Sequence, residues 1–286
     1  MCENRVEPIL GSGGLGVGSS NLPTPTSFLP EPVSEFLAVM SEILPAVTVV
    51  NQHGGSPIVL LCEHASNEIP AEFAKLGLPD RELQRHIAWD IGVAALSRKL
   101  SAALDAPLFL AGHSRLLIDC NRPVGAPTSI PEISETTAIP GNIGLTAHQR
   151  DERATRFYWP FQNAVAAHLD RRQMERKPTL VIGVHSFTPV FKGVARPWHA
   201  GALFRSSERL GLALVAAMQA PGLNVAANQP YRISDTTDYT VPVHGEARGL
   251  EAALIEIRQD LLADDARISA WKARLAAGLA KLSPRP

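Results

Sequence analysis

Two histidines, each delivered by a run of apolar and mostly branched residues, carry the first recognisable chemistry in this sequence. Residues 58–62 read IVLLC and lead into Glu63-His64-Ala65-Ser66-Asn67-Glu68; residues 179–184 read TLVIGV and lead into His185-Ser186. Neutral imidazoles are the commonest zinc ligands at catalytic sites, where a third protein ligand, usually a carboxylate, leaves a fourth position for water. A third apolar run over 252–257 contains Glu256, a carboxylate suited to act as general base toward such a water. Arg258 projects to the same strand face because strand side chains alternate, and the plainer alternative for the two is a cross-strand ion pair. Arg115, Asp119, Asn121 and Arg122 form another set. Two guanidiniums near one strand end are suited to gripping carboxylates or a developing oxyanion.

These side chains need elements that bring them together. Continuous apolar runs of five or six residues predict strands buried on both faces. In open α/β sheets, ligands bind at the C-terminal ends of such strands, where both histidines fall. Between the runs, residues 80–104 have helical spacing, with Asp80 as N-cap and Leu83, Ile87, Ile91, Leu96 and Leu100 near one face. His86 and Asp90, four apart, would share a face of that helix. Strands are predicted over 107–111 and 116–120, then a long loop over 125–144 and a helix over 146–176 capped by Thr146. After the strand ending at His185 come a loop (191–197), a short strand (202–205) and a helix (207–218). A weak strand (223–226), a polar loop (229–244), the last strand (252–257) and a helix (265–282) complete the chain. Strands alternating with helices predict one α/β domain over 46–286: a mixed, mostly parallel sheet covered by helices on both faces.

The composition is that of an ordinary globular chain: 286 residues, 45% apolar, 19% charged. A net charge of −1 argues against binding dominated by nucleic-acid phosphates, while leaving room for a local basic pocket. Cys2, Cys62 and Cys120 show no CxxC spacing. Buried free thiols in a reducing cytoplasm are the expectation for the latter two. No apolar run reaches the roughly 18 residues of a membrane span. Residues 1–45 are rich in Gly, Ser and Pro and predict a disordered tail without a signal peptide. Met40 rather than Met1 is a candidate for the natural start, which the intact mass of the protein from its own host would decide.

Over about residues 55–265 the chain resembles the N-formylglutamate amidohydrolase family, on the motifs CEHASNEIP, HIAWDIG, SRLLIDCNRP, GVHSF and IEIRQDL. That family in turn resembles zinc carboxypeptidases and aspartoacylase. Those relatives have a His-x-x-Glu pair after one strand, an Asp-x-Asn-Arg motif, a histidine after another strand and a late catalytic glutamate. Asp119-Cys120-Asn121-Arg122, His185 and Glu256 match the last three; the first departs, with Asn67 where the relatives place a metal-binding glutamate. The resemblance implies a carboxypeptidase-like fold and one zinc ion on His64, His185 and a carboxylate. Asp90 is preferred over Glu68 and Asn67 for that carboxylate. The other reading of Asp90 is that it orients His64 through the second ring nitrogen. The implied reaction is hydrolysis of N-formyl-L-glutamate to L-glutamate and formate. Glu256 would be the base, Arg115 would face the oxyanion, Asn121 and Arg122 would take the α-carboxylate, and Arg258 a second one. A small anionic N-acyl amino acid is then the partner, with no role for nucleic acid or membrane. Two alternatives remain: a hydrolase of another N-acyl amino acid or small peptide, and, on the Asn67 departure, an inactive metal-binding module. His86 is expected to be a polar contact, His113, His148, His168 and His199 structural, and His244 near substrate.

Overall fold

The branched apolar runs form the centre of a seven-stranded sheet in the computed structural model, which describes residues 45–284. The expected tail over 1–45 and the candidate start at Met40 fall outside the described residues but for Pro45. The strands are β1 Val47–Val50, β2 Ile58–Cys62, β3 Leu108–Ala111, β4 Leu180–Phe187, β5 Ala200–Leu203, β6 Val225–Ala227 and β7 Glu251–Arg258. Their spatial order is β1-β3-β2-β4-β7-β5-β6. The central four, β3, β2, β4 and β7, are parallel; β5 turns antiparallel to β7, and β1 antiparallel to β3. Every residue of β2 and β4 is buried, which is why their sequences are unbroken rather than alternating.

Helices cover both faces. Ile58, Leu60, Cys62, Ile182, Val184, Ile255 and Ile257 face α1 (Val93–Leu104), the helix Glu208–Met218 and the C-terminal helix Asp265–Leu279. Val59, Leu61, Val181, Ala252 and Leu254 face the other way, onto Phe161, Val165 and Leu169 of the helix Trp159–Met174. Strand parity therefore assigns His185 and Glu256 to this second face, and they are register partners across β4 and β7. Gly183 clears space beside them: a Cβ there would lie 2.5 Å from Leu254 Cδ2 and 3.3 Å from His185 Nε2.

Two local expectations differ from the structure. The predicted helix over 80–104 is broken: one turn at Asp80–Leu83, then irregular chain, then α1 from Val93. Gly92 ends the irregular stretch. It has φ +83°, and a Cβ there would meet Leu262 Cβ at 2.5 Å. The break lets the Asp90 amide donate to the His64 carbonyl at 3.0 Å, turning Asp90 toward the sheet instead of along a helix face. Residues 116–120 (LLIDC) are not a strand, although Leu116, Leu117 and Ile118 are buried. Side chains take the place of a ladder there. Asn142 Nδ2 donates to Leu116 O, Arg153 Nη1 to Leu117 O, His113 Nε2 to Ile118 O and Gln162 Nε2 to Cys120 O. The edge strand β1 had no sequence expectation. By contrast, Thr146 caps its helix as expected, in a reciprocal capping box with Gln149. A π-helical segment, Ala154–Tyr158, connects that helix to Trp159–Met174.

Candidate active site

The C-terminal edges of β2, β4 and β7 converge on one buried cluster. His185 Nδ1 lies 3.2 Å from His64 Nδ1 and 3.0 Å from Asp90 Oδ2, and His64 Nδ1 lies 3.3 Å from the same oxygen. His64, Asp90 and His185 are the group of buried side chains whose donor atoms face one point among the described residues. Four-coordinate zinc with bonds of about 2.0–2.1 Å spaces its donors roughly 3.3 Å apart, so the triangle has the right dimensions.

The remaining ring nitrogens are also engaged. His64 Nε2 meets Asp119 Oδ1 at 2.7 Å, and His185 Nε2 faces Glu63 Oε2 at 3.3 Å. Asp119 therefore has the contact with His64 that would leave Nδ1 free to coordinate, whereas Asp90 reaches both histidines from the side of the donor triangle. Arg115 clasps the cluster: Nε and Nη2 donate to Asp119 Oδ2 at 3.0 and 2.7 Å, and Nη1 to Asp90 Oδ1 at 3.2 Å.

Charge supports the same fit. Burial alone would raise the Asp90 carboxyl, but His64, His185 and Arg115 together hold it below its ordinary range. Asp119 is held well below its range by Arg115 and His64 against burial, and Glu63 is lowered by His185, Thr240 and His64. Burial pulls the His185 imidazole down, yet the neighbouring carboxylates of Asp90 and Glu63 push it well above its ordinary value. Three ionised buried carboxylates against one guanidinium leave two negative charges when both histidines are neutral. A divalent cation would balance them, in place of the proton that His185 otherwise holds.

Glu256 behaves in the opposite way. Burial pushes its carboxyl up to about 7, and Oε2 has no hydrogen-bond partner. It lines a cavity of about 440 Å³ together with His64, Asp90, Arg115, Asp119, Asn121, Arg122 and His185. Carboxylates pushed apart in this way mark the division between groups that stay ionised and one that can exchange a proton near neutrality.

Several candidates are elsewhere. Asn67 Nδ2 donates to Leu83 O at 2.9 Å, and Glu68 is exposed; neither joins the triangle. Arg258 is held by Asp260 through two hydrogen bonds of 2.8 and 3.1 Å, pairs with neither Glu256 nor the cavity, and is absent from the cavity wall. Asn121 Oδ1 accepts from the amides of Tyr239 and Thr240, and Arg122 Nη1 donates to Thr237 O, so both hold the loop at 237–240 against the site. His244 pairs with Gln162 Oε1 at 2.7 Å and does not line the cavity. His86 does line it, 3.5 Å from Glu135. Tyr231 and Arg232 also line the cavity from the 229–244 loop, where the sequence offered polarity but no period to single them out.

Comparison with known proteins places this geometry in a family. The gene product Atu2144 from Agrobacterium tumefaciens superposes with a TM-score of 0.81 at 36% identity, over 85% of this chain and 96% of that one. N-formylglutamate amidohydrolase from Ralstonia eutropha JMP134 shares the fold, with a TM-score of 0.64 at 19% identity, over 84% and 97% of the two chains. A succinylglutamate desuccinylase from Chromobacterium violaceum aligns at a TM-score of only 0.39, with 16% identity over 83% of this chain and 65% of that one. No curated protein sequence matches. The profile of N-formylglutamate amidohydrolases matches residues 56–263, a span that starts before β2 and ends after β7 and so includes every side chain of the triangle, Arg115 and Glu256. The chain belongs to the N-formylglutamate amidohydrolase family.

Proposed function

We propose that the protein is a metal-dependent hydrolase of small N-acyl amino acids, with N-formyl-L-glutamate, cleaved to L-glutamate and formate, as its preferred substrate. The observation that carries this reading is the triangle of His64 Nδ1, His185 Nδ1 and Asp90 Oδ2 with edges of 3.0 to 3.3 Å, beside an unpaired Glu256. Two imidazoles and a carboxylate suit zinc. A divalent cation held there supplies Lewis acidity, which polarises an amide carbonyl and acidifies water near neutral pH. Glu256 accepts the proton of the attacking water and delivers it to the leaving amine. Arg115 spends three N–H groups on Asp119 and Asp90, and turns the remaining two to the oxyanion. Arg122 takes the α-carboxylate. The second carboxylate is assigned to Arg232 and not to Arg258. Arg232 lines the cavity and has no ion pair among the described residues, whereas the Arg258 fork is filled by Asp260. A cytoplasmic setting is consistent with the buried free thiols Cys62 and Cys120. No helix among the described residues is long and apolar enough to cross a membrane.

Formate release by the zinc-loaded protein from N-formylglutamate, N-formylglutamine and N-formylglutamate α-amide tests the reading. Arg232→Ala should raise KM for N-formylglutamate by about 10- to 100-fold, the worth of one charge-assisted contact, and leave N-formylglutamine nearly unchanged. Arg122→Ala should raise KM wherever the α-carboxylate is free and spare the α-amide. Equal effects across the substrates remove the arginines from these roles. Absence of hydrolysis of every N-acyl amino acid by the loaded wild-type protein ends the proposal itself.

A further inference from the structure

Glu63 has no place in the reaction described above, yet it is among the most deeply buried carboxylates of the chain, at 1% exposure. It follows β2 directly, with the strand parity of Val59 and Leu61, and so faces the same side of the sheet as His185. A carboxyl group is not kept in such a position without partners. Its Oε1 accepts a hydrogen bond from Thr240 Oγ1. Its Oε2 and the Nε2 of His185 are both buried without a hydrogen bond, and they face each other at 3.3 Å. Among the described residues, each is the group placed to satisfy the other. An N–H on Nε2 pointing at Glu63 leaves the Nδ1 lone pair of His185 directed at His64 Nδ1 and Asp90 Oδ2.

We propose that Glu63 is a positioning residue for the cation: it fixes His185 as the Nε2–H tautomer and so aims Nδ1 at the donor triangle. The same side chain joins that triangle to the substrate side of the cavity. Thr240 is held through its amide by Asn121, three residues from Thr237, whose carbonyl accepts from Arg122. Loss of Glu63 therefore loosens the His185 ring and the anchor of the 237–240 loop together. Asp119 does for His64 what Glu63 does for His185, but only Glu63 reaches across to this loop.

The inference rests on the metal reading above, and its test separates the two. Zinc affinity is measured by chelator competition on wild type, Glu63→Gln and Glu63→Ala, with circular dichroism to establish folding. A carboxylate behind a metal-binding histidine contributes about 10- to 100-fold in affinity. Glu63→Gln is isosteric and keeps an acceptor for His185 while removing the charge, so it should weaken zinc by roughly 10-fold; Glu63→Ala should approach roughly 100-fold. A side chain needed only for packing would lower thermal stability without moving the zinc affinity of the folded fraction. The second measurement needs no variant: two-bond 1H–15N correlation spectra of the zinc-loaded wild-type protein should show His185 protonated on Nε2 and coordinated through Nδ1. Wild-type affinity in both variants, or His185 protonated on Nδ1, overturns the role of Glu63. A wild-type protein that binds no zinc overturns the metal reading and this role with it.

Discussion

Asp90→Ala is expected to purify without zinc and without hydrolytic activity, while Asp119→Ala keeps the metal at an affinity about 10- to 100-fold weaker. The contrast follows from which atoms each carboxylate faces. Asp90 Oδ2 lies among the ring nitrogens that point at one another, 3.0 Å from His185 Nδ1 and 3.3 Å from His64 Nδ1. Asp119 touches the far nitrogen of His64, at 2.7 Å. Removing the first takes away a donor atom; removing the second frees a ring to turn. Zinc content after dialysis measures both, and His64→Ala and His185→Ala should behave as Asp90→Ala does. Full zinc occupancy in Asp90→Ala would move Asp90 from the donor set. Acid should mimic these variants. Asp90, Asp119 and Glu63 are all held below their ordinary values, so their contribution to the folded state is present above about pH 4 and is lost as the pH falls through the lowered values.

The sequence made the histidines legible because each follows an unbroken apolar run: His64 lies just past β2, and His185 lies inside β4 near its C-terminal edge. Glu256 was legible for a related reason, as a carboxylate inside such a run. Asp90 was reached through its motif rather than its period. The apolar spacing from Leu83 to Leu100 suggests one helix, but the chain is irregular from Gln84 to Gly92, whose Cβ would strike Leu262, and that stretch aims Asp90 inward. Residues 116–120 misread as a strand because burial, and not pairing, selects their apolar side chains. Their carbonyls are satisfied by Asn142, Arg153 and Gln162 from distant positions in the chain. Alternation alone put Arg258 on the face of Glu256, but the chain turns after β7 into a 3-10 segment, and Asp260 closes on the guanidinium first. Glu63 offered no signal of its own: an acidic residue at a strand end usually reaches water, and here β4 and the 240 turn enclose it.

Glu256→Gln isolates the proton transfer from everything else the site does. The substitution keeps size and shape and removes only the capacity to accept a proton. Zinc content should be unchanged, because Glu256 is not among the donor atoms of the triangle. Substrate Kd should change little, since ground-state binding is assigned to the arginines in the proposed function. Turnover should fall by roughly 10² to 10⁴, the range for a positioned general base. Glu256 must be ionised to act. Burial raises its carboxyl to about 7 in the absence of a cation, and a bound cation, being positive, lowers that value. The wild-type kcat/KM should therefore decline on the acidic side at or below about pH 7, as the base takes up its proton. In Glu256→Gln that limb should disappear along with the rate. Wild-type turnover, or an acidic limb that persists unchanged in the variant, would return Glu256 to being a buried residue of β7 opposite His185 and leave the base to be found elsewhere on the cavity wall.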